Sequence, residues 1–223
     1  EWRGVRHRHR RQGCSPTMMD LFLSAFITFF VVIDPPGCAP IYASLTKGAT
    51  AAQRRNMALR ACFVAAIILL VFALFGEQLL GALHIELNSF RIAGGIMLFL
   101  IAIDMVFEKR TERREERAQK IIDTPEIEDV SVFPMAMPMI AGPGSIASVM
   151  LLMSQNEGID RAGVILAALG AVLVLTLLAL MAAGPIMRVL GAKAEAVITR
   201  LLGVLLGALA AQFVIDGLRA SFA

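Results

Sequence analysis

The chain has 223 residues, 57 % hydrophobic and only 17 % charged, with a mean hydropathy of +0.72. A soluble domain carries about a quarter charged residues, and here the charges are also segregated. A water-soluble core is therefore excluded and a polytopic membrane protein indicated. The net charge of +3 rests largely on five arginines in the first eleven residues, so it does not argue for a nucleic-acid partner.

The first seventeen residues, EWRGVRHRHRRQGCSPT, differ in character from all that follows. They have the basic start of a signal peptide, but no small-residue cleavage site follows. The Arg10-Arg11 pair also lacks the surroundings of a twin-arginine signal. A disordered basic segment is expected over residues 1–17, with Met18-Met19-Asp20 reading as a natural start.

The first span covers residues 18–47 and contains VVIDPPGCAP. Between residues 21 and 46 the only charge is Asp34, so the segment is long and apolar enough to cross a bilayer. A helix cannot run undisturbed through Pro35-Pro36-Gly37, because prolines lack amide donors and clash with the preceding turn. Asp34 is expected near membrane mid-depth, at a break that survives only under cover of protein or a water-filled cavity. An ionisable group placed there is a candidate functional residue.

A basic loop with Lys47, Arg54, Arg55 and Arg60 leads into a second span over residues 57–83. The third, 88–107, opens with Arg91 and holds Asp104 near its end. Residues 108–129 carry six basic and eight acidic side chains and read as a solvated connector. Residues 130–156 are uncharged and interrupted by Pro134, Pro138 and Gly142-Pro143-Gly144, which marks a second broken span. The fifth span, 162–183, ends at Gly184-Pro185, and the sixth, 197–218, opens with Arg200 and holds Asp216. The expected fold is all-α, with six spans of which one and four are broken. Cys14, Cys38 and Cys62 have no metal or disulfide spacing and read as packing residues.

The two halves resemble each other. Pro36-Gly37 recurs as Pro143-Gly144, 107 residues on, and Arg91 with Gly94-Gly95 recurs as Arg200 with Gly203. Ile103-Asp104 is echoed by Ile215-Asp216. Residues 18–107 and 130–223 thus read as two three-helix repeats. An odd number of spans per repeat makes the topology inverted, and paired interrupted segments then point to a transporter's binding site. Thirteen lysines and arginines fall on the side of the first, third and fifth loops. Arg91, Arg161, Arg219 and the N-terminal arginines fall on the other. The positive-inside rule puts the basic loops in the cytoplasm and both termini outside it.

Each break starts a half-helix whose first amides lack partners and carry partial positive charge, suited to an anion or carboxylate. Gly37, Cys38, Gly142, Gly144, Ser145 and Ile146 are the candidate binding residues, the glycines allowing close approach to the backbone. Asp34 adds a negative group in the first half only. A small zwitterion fits this polarity, its carboxylate on a half-helix start and its ammonium on Asp34 or freed carbonyls. Asp followed by Pro is equally a good N-cap, a role that needs no substrate. Coupling to a proton on Asp34 or to sodium stays open. Arg91 and Arg200 either snorkel or pair with Asp34, Asp104 or Asp216. Gly203, Gly207 and Ala211 form a small-residue stripe suited to packing within the chain or in a homo-oligomer.

With these segments read, IDPPGCAPIYASLT resembles the first signature of the MarC family of six-span bacterial membrane proteins, Asp-Pro-x-Gly-x-x-Pro with a Ser-Leu-Thr ending. FPMAMPMIAGPGSIASVM resembles its second, Pro-x-Ala-x-Pro followed by Ala-Gly-Pro-Gly, and FRIAGGIMLFLIAIDM and QFVIDGL also fit. The resemblance implies a bacterial inner-membrane transporter of small neutral amino acids such as glycine and alanine, related to the lysine-exporter superfamily. It implies drug efflux only weakly. Cys38 departs from the Asn common at that position in the family. A passive channel, or an exporter of other small solutes or drugs, is the alternative. An intramembrane enzyme is not expected, because Ser145 has no histidine or lysine base in a nearby span. No cofactor is expected, and the expected partners are the lipid bilayer and a small-molecule substrate.

Overall fold

The computed structural model describes residues 17–46, 48–107, 129–156 and 158–222. The basic N-terminal segment up to residue 16 and residues 108–128 of the charged connector lie outside the described residues. Seven α-helices follow in order: α1 (Met18–Ile33), α2 (Pro35–Leu45), α3 (Ala51–Ala82), α4 (Leu87–Val106), α5 (Pro143–Gln155), α6 (Ile159–Met181) and α7 (Ala183–Ser221). An irregular proline segment, Ser131–Ile140, precedes α5 and bends from it by 53°. Among the described residues there is no strand. Five helical stretches are long and apolar enough to cross a membrane, α1 and α2 counting as one, and the bent pair makes a sixth. The all-α polytopic architecture expected from the sequence is the one observed.

Capping fixes where the helices begin. Thr17 and Asp20 form a reciprocal capping box at α1, and Thr50 and Gln53 form another at α3. Because that second box satisfies two amides that would otherwise be orphaned, α3 starts at Ala51, ahead of the expected boundary at residue 57. Arg54, Arg55 and Arg60 are therefore helical, not loop residues. A second boundary also moves. α6 ends at Met181, ahead of Gly184-Pro185, and α7 starts at once at Ala183 and takes both residues into its first turn, since a proline in a first helical turn sacrifices no hydrogen bond. In the proline segment, Phe133 and Met137 precede prolines and are extended at φ −127° and −128°, as the clash with the proline ring dictates. The Met135 and Ala141 amides bridge the resulting gaps by donating to carbonyls five residues back, Val130 and Ala136.

Among the described residues the interior holds two buried apolar clusters. The larger joins α1, α2, α3, the proline segment, α5 and α6. The smaller joins Val31 and Val32 of α1 to Leu98 and Met105 of α4, Leu151 of α5 and Leu206 of α7. α4 and α7 form the most extensive helix pair, and glycine makes it possible. A methyl on Gly203 would lie 2.8 Å from the Met105 Cβ, and one on Gly95 would lie 2.9 Å from the Ala210 carbonyl oxygen. Gly203 and Gly207 thus serve packing within the chain. The outward faces expose Phe63, Ile67 and Phe75 of α3 and Leu201 and Leu205 of α7, a surface for lipid rather than water.

Candidate functional site

The first break is built on one residue. Asp34 has a left-handed backbone, φ 58° and ψ 64°, which an aspartate tolerates because its short side chain bonds locally. Its amide donates to the Phe30 carbonyl at 3.0 Å and closes α1. Its carboxylate accepts the Gly37 amide at 3.1 Å and opens α2. The same residue therefore ends one half-helix and caps the next. Asp34 is 1 % exposed, and a methyl on Gly37 would fall 2.2 Å from its Oδ2. The glycine at 37 is thus dictated by the carboxylate.

The second break repeats this frame without the acid. Aligned at 107 residues, Ile33 matches Ile140, Asp34 matches Ala141, Pro36 matches Pro143, Gly37 matches Gly144 and Cys38 matches Ser145. The Cys38 thiol donates to the Ile33 carbonyl at 3.5 Å, and the Ser145 hydroxyl donates to the Ile140 carbonyl at 2.7 Å. Gly142 is the α5 N-cap and offers no side chain. A methyl on it would lie 2.4 Å from the Pro138 carbonyl oxygen.

The two breaks adjoin. A methyl on Gly144 would lie 2.7 Å from Ile101 Cδ1 and 3.2 Å from Cγ1 of Val32, two residues before Asp34. Gly37, Cys38, Gly142, Gly144 and Ser145 are all buried, and Ile146 is half-buried. The spaces before the three glycines are filled by Asp34, by the Pro138 carbonyl and by Val32 with α4 side chains. In this conformation the positions a side chain would take at these three glycines are occupied.

Arg91, Asp104 and Arg200 are placed by the antiparallel α4–α7 register. A methyl on Gly217 would meet the Asn88 carbonyl and Ile92, which sets Asp216 level with Arg91. At the other end Gly203 meets Ala102 and Met105, which brings Arg200 toward the Asp104 end of α4. Arg91 is half-buried, its Nε without a hydrogen-bond partner, and Arg200 is exposed. Along α4, Arg91 lies seven residues from Leu98, about 10 Å at the helical rise, so it flanks the breaks at a distance.

A further polar residue lies close to the second break. Ser148, one turn after Ser145, is fully buried and its Oγ has no hydrogen-bond partner. A buried hydroxyl left unpaired costs about 1–3 kcal/mol. Its signal in the sequence was the serine pair at three-residue spacing on an otherwise apolar half-helix. At the far end of α2, the buried Tyr42 hydroxyl donates to the Arg54 carbonyl, tying the half-helix to the start of α3.

Residues 19–222 match the family described as MarC family integral membrane protein. A UPF0056 membrane protein of Methanocaldococcus jannaschii is 35 % identical over 206 residues, covering 90 % of this chain and 98 % of that one. The UPF0056 membrane protein YvbG of Bacillus subtilis is 34 % identical over 205 residues, 92 % and 97 % of the two chains. The UPF0056 inner membrane protein YhgN of Escherichia coli is 32 % identical over 201 residues, 90 % and 98 %. No solved structure matches the chain. Similar in this way from α1 to the end of α7, the chain belongs to the MarC family of integral membrane proteins.

Proposed function

We propose that the protein is a non-enzymatic transporter of small neutral amino acids, glycine or alanine in size, whose binding site opens where the two breaks meet. The observation that carries this reading is the buried Asp34 carboxylate at a helix break, with the start of α5 seated two residues away on Val32. A zwitterion would place its ammonium on Asp34 and its carboxylate on the α5 amides, with the Ser145 and Ser148 hydroxyls as further partners. The close packing at the break glycines supports a site exposed alternately to the two sides over a standing pore.

Helix contacts support the inverted-repeat part of this reading. The first span packs on α6, and the fourth packs on α3. The first also reaches α7, as the fourth reaches α4, while α3 meets α6 and α4 meets α7. Across the breaks, α1 touches α5 and α2 touches the proline segment. These are the pairings that two copies related by an axis in the membrane plane would make. With the basic loops inside, both termini lie outside the cytoplasm, and the likeness to the inner membrane protein YhgN supports an inner-membrane location.

Thermal unfolding of the purified protein with glycine, alanine or a non-zwitterionic solute tests the reading. Asparagine caps a helix as well as aspartate does, so Asp34→Asn removes the charge and keeps the cap. Stabilisation of the parent by alanine, lost in Asp34→Asn while the unliganded midpoint holds, is expected. Equal stabilisation of both proteins, or none of the parent, would overturn it.

A further inference from the structure

Two crevices flank the end of α2, and they differ in charge. One, about 540 Å³, is lined by Thr46, Gln53, Asn56 and an Arg60–Asp129 ion pair at 2.7 Å. Its cation is matched. The other, about 290 Å³, lies between the start of α3 and the α6–α7 junction, with Arg54 and Arg55 on one wall and Leu180, Met181 and Pro185 on the other. Among the described residues, no carboxylate lines it.

We propose that this second crevice seats the phosphate of an anionic phospholipid headgroup. Arg54 and Arg55 are the fourth and fifth residues of α3, close to the positive end of its dipole, and no acidic residue occupies its first turn. Two cations there are unfavourable unless an anion joins them. The volume is near the lower end of ligand pockets, about 300 Å³, enough for a headgroup but not a whole lipid. What favours a lipid over free phosphate is the surroundings. The crevice sits where α3 starts and α6 ends, at the rim of the bundle, and its second wall is apolar. From Arg55 an exposed apolar stripe runs down α3 at four-residue spacing through Leu59, Phe63 and Ile67, a track for an acyl chain below a headgroup. Basic pockets on the cytoplasmic side are where anionic headgroups are met, and this rim carries the basic loops. The Tyr42–Arg54 hydrogen bond links the crevice to α2 and so to the helix capped by Asp34.

The test is native mass spectrometry of the full chain with phosphatidylglycerol or phosphatidylcholine, with inorganic phosphate as competitor. At about 1 kcal/mol per arginine, phosphatidylglycerol is expected to bind roughly 30-fold more weakly to the Arg54→Gln/Arg55→Gln protein than to the parent. Arg54→Lys/Arg55→Lys should keep the preference for phosphatidylglycerol. Each single glutamine variant should lose about fivefold, which keeps the test decisive if the double variant does not fold. Unchanged binding in the glutamine variants, equal binding of the two lipids, or displacement by millimolar phosphate would overturn the proposal.

Discussion

Cys38 and Ser145, 107 residues apart, do the same work: each stands in the first turn after a break and donates to the carbonyl five residues back. In an unbroken helix those carbonyls, of Ile33 and Ile140, would accept the Gly37 and Gly144 amides, and the Gly37 amide is turned to the Asp34 carboxylate instead. The donors differ in strength, a thiol at 3.5 Å against a hydroxyl at 2.7 Å. Ser145→Ala would orphan a buried carbonyl and is expected to cost about 1–3 kcal/mol. Cys38→Ser gives the first break the donor of the second and should stay within about 1 kcal/mol of the parent. Denaturant unfolding in detergent reads both; equal costs would contradict the shared role.

Gly37→Ala places a methyl 2.2 Å from the Asp34 carboxylate. The cap must then release the Gly37 amide, at a cost of about 1–2 kcal/mol. Because the clash is with Asp34 alone among the nearest atoms, Gly37→Ala in an Asp34→Ala background should cost far less than in the parent. A double-mutant cycle checks this coupling, and simple additivity would contradict it.

Glycine plays two different roles along the helices. Gly203→Ala would press its Cβ to 2.8 Å from the Met105 Cβ and 3.2 Å from the Ala102 carbonyl, separating α4 from α7, with an expected loss of about 1–3 kcal/mol. Gly170 of α6 has nothing within 4 Å of the same position. Gly170→Ala should raise stability by about 0.5–1 kcal/mol, the helix-propensity difference. Thermal midpoints moving in opposite directions are the expected outcome.

Arg60 and Asp129 form an exposed pair, so Arg60→Gln should cost under about 1 kcal/mol at pH 7. Ser131 and the Arg60 guanidinium hold the Asp129 carboxyl below the usual carboxylate range. A lowered native-state pKa gives stability that is present above the ordinary carboxylate value and lost as pH falls through the lowered one. The gap between parent and Arg60→Gln should therefore close below about pH 4, as pH-dependent unfolding would report.

Much of the fold could be read from the chain because its strongest signals are negative ones. Charge is missing over long runs, and Pro35, Pro36 and Pro143 cannot donate an amide, so spans and breaks follow from composition. The start of α3 was legible too, in Thr50-Ala-Ala-Gln53, but the basic residues after it disguised a capping box as a loop. Other features depend on partners that no spacing names. Gly203 and Gly207 announce close packing, yet only the fold shows that α4 is what they pack on. Asp34 announces itself as an ionisable group in a span, but its dual role as end of α1 and cap of α2 lies in its left-handed backbone. The loneliness of the Ser148 hydroxyl is a property of its neighbours, not of the letter.

The claim on which the functional reading rests is that the Asp34 charge, and not its cap, is needed to move a small zwitterion. The direct measurement is uptake of radiolabelled alanine into proteoliposomes holding the parent or Asp34→Asn. Saturable flux in the parent, reduced at least tenfold in a folded Asp34→Asn protein, is the expected result. Undiminished flux through Asp34→Asn would contradict the claim.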